Sequence, residues 1–115
     1  MGEELEAIIE HDGDEKYIIA HVGENGSMKK VLVSLPCEYH SGIAREYKGR
    51  QNGNADSVCI EGGGILTIDR QAKKIHTYGT SGGFGRPDID EVRKILKHEF
   101  PEYEIDATVT SYIRG

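Results

Sequence analysis

The chain has 115 residues and a mass of 12.7 kDa, enough for one compact domain with one core and too small for two. Its 14 basic residues stand against 20 acidic ones, a net charge of -6 with neither sign gathered into a block, which argues against nucleic acid because phosphate-backbone binding needs a concentrated basic face. No apolar run approaches the roughly 18 residues that span a bilayer, and the opening MGEELEAIIEHDGDEK is acidic where a signal peptide is basic and then apolar, so a cytoplasmic protein without membrane association is expected.

In chain order, strands are expected at 5–11, 16–22 and 29–35, each rich in Ile, Val, Leu or Tyr. Asp12-Gly13 and Asn25-Gly26 separate them, and both dipeptides tolerate the positive φ of tight hairpins. A meander of three antiparallel strands follows. Pro36 interrupts it, and Ile43, Ala44 and Tyr47 then recur at helical spacing, with Ser41 as N-cap and Gly49 or Gly53 as the stop. Tyr39 and His40 fall at the N-terminal edge of this short helix. Further strand segments are expected at 56–61, 65–69 and 74–79, the first two divided by Gly62 to Gly64 and the third preceded by a turn in DRQAKK. Asp88 caps a second helix, Glu91 completes a capping box, and Ile89, Val92, Leu96 and Phe100 line one face. EYEIDATVTSYI alternates as a last strand. The whole reads as an α+β domain over 1–115, a single mixed, mostly antiparallel sheet of about six strands carrying two helices.

Between the third of those later strands and the second helix lies GTSGGFGRPD, with Gly79, Gly82, Gly83 and Gly85 within seven residues. Strand, glycines and helix N-terminus is an arrangement whose bare N–H groups favour an anion. The nucleotide motifs fail, however. GxxxxGK[ST] read from Gly79 needs glycine at Phe84, and GxGxxG read from Gly83 meets Asp88 at its last glycine. By spacing alone, a tight reversal between strand and helix is the better account of the glycines, since glycine is the default residue of strained turns.

His40 sits at a helix start, whose positive end keeps the imidazole neutral and therefore nucleophilic or basic near pH 7. An idle surface histidine has the same sequence. Lys16 opens the second strand, placed either to meet a phosphoryl group or simply to be solvated. His11, His21, His40, His76 and His98 with Cys37 and Cys59 show no close zinc-ligand spacing, so no metal is expected. The cysteines form neither a CxxC pair nor a disulfide-dense pattern.

GGG, then KKIHTYGTSGGFG, then FPEYE, preceded by EYH at a helix start and KY at a strand start, resemble the small protein-histidine phosphatase family, which includes the Janus/ocnus proteins. The likeness runs in order from Lys16 to Glu104 and is densest at 61–81. It implies hydrolysis of phosphohistidine in proteins or peptides without a metal ion; no other cofactor is expected, and the chain is expected to be a monomer. Carried over by that resemblance, the family's essential histidine in EYH matches His40, its substrate-contacting lysine Lys16 and the serine two residues past YG Ser81, while Tyr39 matches the position beside the histidine and Gly83 one whose backbone faces the phosphate.

Such a site would work by in-line attack on phosphorus while the imidazole leaves and the equatorial oxygens are held. Backbone N–H groups of residues 80–85, Gly82 among them, the Ser81 hydroxyl and the Lys16 ammonium are suitable donors. His40 could attack phosphorus itself or deprotonate water. The chain departs from the family where an arginine commonly follows the Gly triplet, since Ile65 stands there and Arg86 is the candidate substitute. GGF between Ser81 and Gly85 is also less bulky than usual. The alternatives are a non-catalytic phosphate- or phosphoprotein-binding module and a phosphatase of small phosphoramidates or phospholysine.

Overall fold

The computed structural model describes residues 4–24, 26–51 and 57–108. Its strands are β1 (Glu4–Ile9), β2 (Gly13–Glu24), β3 (Ser27–Ser34), β4 (Ser57–Asp69), β5 (Lys74–Tyr78) and β6 (Glu104–Ala107); helix α1 (His40–Gln51) follows β3 and α2 (Ile89–Glu99) follows β5. They form one mixed sheet in the order β1-β3-β2-β4-β5-β6, antiparallel except for the β1–β3 and β5–β6 pairs. The fold is α+β.

The two-residue period of β2 divides the core. Tyr17 and Ile19 point to one face, where Leu66, Ile68 and Ile75 meet Val92, Ile95 and Leu96 of α2. Ile18, Ala20 and Val22 point to the other, where Val31 and Val33 meet Ile43, Ala44 and Tyr47 of α1. The helices thus cover opposite faces of the sheet, and each fully buried Ile, Leu or Val contributes roughly 1.5–3 kcal/mol of apolar burial. On its face α1 contacts β2, β3 and β4. Its N-terminus lies beside the glycines of β4.

Four sequence expectations need correction. The first three strands are not a simple meander: β3 lies between β1 and β2, and β1 pairs with β3 in parallel. Because β3 and β4 occupy both edges of β2, β1 has only the outer edge of β3 available. Residues 10–12 cross the end of β3, held by Glu10 N–H donating to Ser34 O at 3.1 Å. Arg70 also fixes the crossing, donating to the carbonyls of Ile9 and His11 and to Asp12. The β2–β3 hairpin is as expected, with Gly26 at φ 80°, although Asn25 lies outside the described residues.

Gly62 to Gly64 do not divide two strands, because β4 runs through them with β2 on one side and a one-residue bulge opposite Ile19 and Ala20. Pairing with β2 along Tyr17 to Ile19, together with the Gly63 N–H bond to the Gly85 carbonyl, keeps this glycine-containing stretch extended. Helix α1 begins at His40, so Ser41 is helical rather than a cap; the Tyr39 carbonyl accepts from Gly42 and Ile43 N–H. At α2 the Asp88 carboxylate does cap Asp90 and Glu91 N–H, but Glu91 does not close a capping box. Its carboxylate bonds His21 at 3.0 Å and Lys30 at 2.9 Å on the sheet. Gly53, Asp56 and the stretch of the last strand beyond Thr108 lie outside the described residues.

Candidate active site

The three glycines of β4 are there for contact. A Cβ on Gly62 would stand 2.7 Å from the Arg86 carbonyl, and one on Gly64 would stand 2.7 Å from the Tyr78 carbonyl. A Cβ on Gly63 would collide with the Tyr17 carbonyl and lie 3.0 Å from Cδ2 of His40. Bare backbone therefore lets the start of α1 and the end of the Gly-rich loop close onto one strand.

On that bare strand the His40 ring is half-buried, and its Nε2 lies 2.9 Å from the Gly64 carbonyl. A carbonyl only accepts, so Nε2 carries the hydrogen and Nδ1 is left with a lone pair. Burial is the main force pushing the His40 pKa below its ordinary 6.5, and the Lys16 charge adds to it, against the opposing pull of the Gly64 bond. The neutral imidazole is the resting form at pH 7.

Around His40 a cleft of about 480 Å³ is lined by Lys16, Tyr39, Ser41, Ser81, Gly82, Gly83 and Phe84. Lys16 comes from β2, at the point where the hydroxyl of fully buried Ser34 donates to its carbonyl at 2.8 Å. Ser81 is buried, and its Oγ accepts from Phe84 N–H at 3.0 Å. That leaves the hydroxyl hydrogen to donate elsewhere. Ser81 and Gly85 exchange backbone bonds of 3.3 and 2.9 Å, closing the loop as a small β-bridge. Among the described residues the N–H groups of Gly82 and Gly83 have no hydrogen-bond partner.

Lys16, Tyr39, His40, Ser81, Gly82 and Gly83, the sequence candidates, thus share one cleft. Arg86 does not line it; the residue is exposed, and its carbonyl packs on Gly62. Ile65 pairs with Lys16 across β2 and β4 and lines an adjoining trough with Asp14, Glu15 and Tyr78. Sequence reasoning missed Phe84 and Ser41 as lining residues. Phe84 had a signal, being the one bulky side chain between Gly79 and Gly85. Ser41 stands where the sequence predicts a cap instead.

Other reactive groups lie elsewhere. Cys59 is exposed, and its hydrogen bond to the Glu61 carboxylate raises its thiol pKa, the reverse of an activated thiolate. Among the described residues no three His, Cys, Asp or Glu side chains group as metal ligands. No described helix is long and apolar enough to cross a membrane.

The family model described as "Janus/Ocnus family (Ocnus)" matches residues 4–104. The chain belongs to the Janus/Ocnus family. It is similar to the sex-regulated protein janus-A of Drosophila pseudoobscura pseudoobscura, at 30% identity over 90% of this chain and 74% of that protein. It is also similar to the 14 kDa phosphohistidine phosphatase of Sus scrofa, at 31% identity over 84% of this chain and 83% of the relative. Janus-A of Drosophila melanogaster is 28% identical over 90% of this chain. The chain is thus similar both to a protein named as a phosphatase and to proteins named as sex-regulated.

Proposed function

We propose that this Janus/Ocnus protein hydrolyses phosphohistidine in proteins or peptides without a metal ion, with His40 as nucleophile or general base. The observation that carries the reading is the Nε2-anchored, neutral His40 sharing a cleft with an ammonium, a buried hydroxyl and two unspent backbone N–H groups. Similarity to the pig phosphohistidine phosphatase supports the substrate class.

In this mechanism the Gly82 and Gly83 N–H groups, Ser81 Oγ–H and Lys16 Nζ hold the three phosphoryl oxygens as charge redistributes in the transition state. Nδ1 of His40 then acts in one of two ways. As nucleophile it forms a new N–P bond while the substrate's P–N bond breaks; the electron pair stays on the departing imidazole, which takes a proton from water, and a second water hydrolyses phospho-His40. As general base it removes a proton from the attacking water, whose oxygen forms the new P–O bond as the P–N bond breaks; the electron pair stays on the departing imidazole, which takes a proton from water, and His40 returns its proton to solvent. The Gly64 carbonyl serves both routes, since it steadies the imidazolium character that develops at Nε2–H. Rapid-quench trapping separates them: an alkali-stable, acid-labile phosphoenzyme lost in His40→Ala marks the nucleophilic route.

Release of phosphate from a phosphohistidine peptide, with and without chelator, tests the function itself. Ile65 favours a second reading, a module that binds phosphate or phosphoprotein without turnover, because an apolar side chain stands beside Lys16 where one more cation would fit. Saturable binding of a phosphopeptide with no phosphate release would favour that reading over hydrolysis.

A further inference from the structure

Away from the cleft, a series of hydrogen bonds leads back to Lys16. Residues 10–12 cross the end of β3 and touch Ser34 twice, through Glu10 N–H to its carbonyl at 3.1 Å and through His11 Nε2 to its hydroxyl at 2.7 Å. Ser34 is fully buried and in turn bonds the Lys16 carbonyl at 2.8 Å. What each atom can do fixes the direction. A carbonyl only accepts, so the single Ser34 hydroxyl hydrogen goes to Lys16; the Ser34 oxygen then accepts, and the His11 ring carries its hydrogen on Nε2.

This is not the most stable way to fill the space. His11 Nδ1 is buried with no hydrogen-bond partner among the described residues, and a buried polar atom left unmatched costs stability where apolar side chains would not. The ring is nonetheless held where it is, because Arg70 donates to the His11 carbonyl at 3.3 Å and to the Ile9 carbonyl at 3.1 Å. What the series secures at its far end is the peptide of Lys16.

Lys16 has need of it. Its stem is flexible, and among the described residues its ammonium makes no hydrogen bond or ion pair, so its place at the cleft depends on how firmly its backbone is set. We propose that His11, acting through Ser34, is a positioning residue for Lys16, fixing the peptide from which the ammonium reaches the cleft. This rests on the part given to Lys16 in the phosphohistidine reading above and adds a residue that does not line the cleft. The His40 ring reports on it, because the Lys16 charge helps to hold the His40 pKa below 6.5.

The test follows His40 by NMR titration and measures the affinity of the full chain for inorganic phosphate, neither of which needs turnover. Glutamine and asparagine separate reach from polarity: a glutamine amide N–H stands where Nε2–H stands, and an asparagine amide stops short of Ser34. His11→Leu and His11→Asn are expected to raise the His40 midpoint toward that of Lys16→Met and to weaken phosphate binding about threefold, the scale of one exposed charge displaced but not removed. His11→Gln is expected to keep both near the native values. In a Lys16→Met chain the same substitutions are expected to move neither. His11→Asn serves where the leucine variant melts early. Native behaviour of His11→Asn, or an undiminished shift in the Lys16→Met chain, overturns the proposal. Failure of the phosphohistidine reading looks different: the native chain releases no phosphate from a phosphohistidine peptide, although His40 and phosphate binding still respond to His11.

Discussion

His40 Nε2 donates to the Gly64 carbonyl at 2.9 Å, and that bond decides which ring nitrogen does the chemistry. It spends one nitrogen on the sheet, fixes the tautomer and leaves Nδ1 basic. The donor is a helix residue and the acceptor a strand glycine, so the orientation of the base depends on how closely α1 approaches β4.

The pH dependence follows from burial. Since burial and Lys16 hold the His40 pKa below 6.5, kcat/KM is expected to rise as pH increases through a single acid limb below that value, then level off by neutrality. Stability follows the same sign: the unfolded chain binds the His40 proton more readily, so this contribution is complete above 6.5 and declines as pH falls through the folded-state pKa. Lys16→Met removes a repelling charge, so its acid limb moves to higher pH. Rate profiles of the two proteins check this; an acid limb above 7 in the native chain contradicts it.

Gly63→Ala tests the close approach. Its methyl group meets the Tyr17 carbonyl and the His40 ring, an overpacking that costs roughly 1–3 kcal/mol of stability. Urea denaturation is expected to show that loss together with lower activity, whereas Gly82→Ala, with nothing within 4 Å of its Cβ, shows no such loss of stability.

Ser34→Ala removes the hydroxyl that bonds the Lys16 carbonyl and His11 Nε2 at 2.8 and 2.7 Å. A buried acceptor left unpaired costs about 1–3 kcal/mol. Denaturant midpoints measure this. KM is expected to rise as well, since the Lys16 backbone is held at the cleft by that bond.

Ile65→Arg places a second cation beside Lys16. Phosphorylated substrate is expected to bind more tightly and the acid limb of His40 to move further down, because another nearby positive charge disfavours imidazolium. Unaltered KM and pH profile would show that position 65 does not reach the phosphoryl group.

Much of this was legible in the sequence because it was local. Alternation in β2, the Asp88 cap and the turn at Gly26 follow from neighbouring residues; the motif residues Lys16, Tyr39, His40, Ser81, Gly82 and Gly83, which share a cleft, come from distant segments and were legible only through the family resemblance. What was misread depended on distant partners. Asp12-Gly13 has the chemistry of a hairpin, yet the hairpin of β2 with β3 had already filled the place β1 would take. Gly62 to Gly64 look like a break until their neighbours are known; paired with Tyr17 to Ile19 of β2 and tied through Gly63 N–H to the Gly85 carbonyl, they remain strand and become the surface on which His40 rests. Glu91 has capping-box spacing, but a histidine and a lysine from the sheet compete for its carboxylate. Arg86 is close in sequence to the loop, and its backbone is turned to Gly62 instead of its side chain lining the cleft.

The most direct measurement is phosphate release from a phosphohistidine peptide by the native chain and by His40→Ala, in the presence of chelator. Turnover by the native chain, reduced at least a hundredfold in the variant in keeping with the loss of an acid–base or nucleophilic group, is the expected result. Equal release by the two proteins, or none by the native chain, would contradict it.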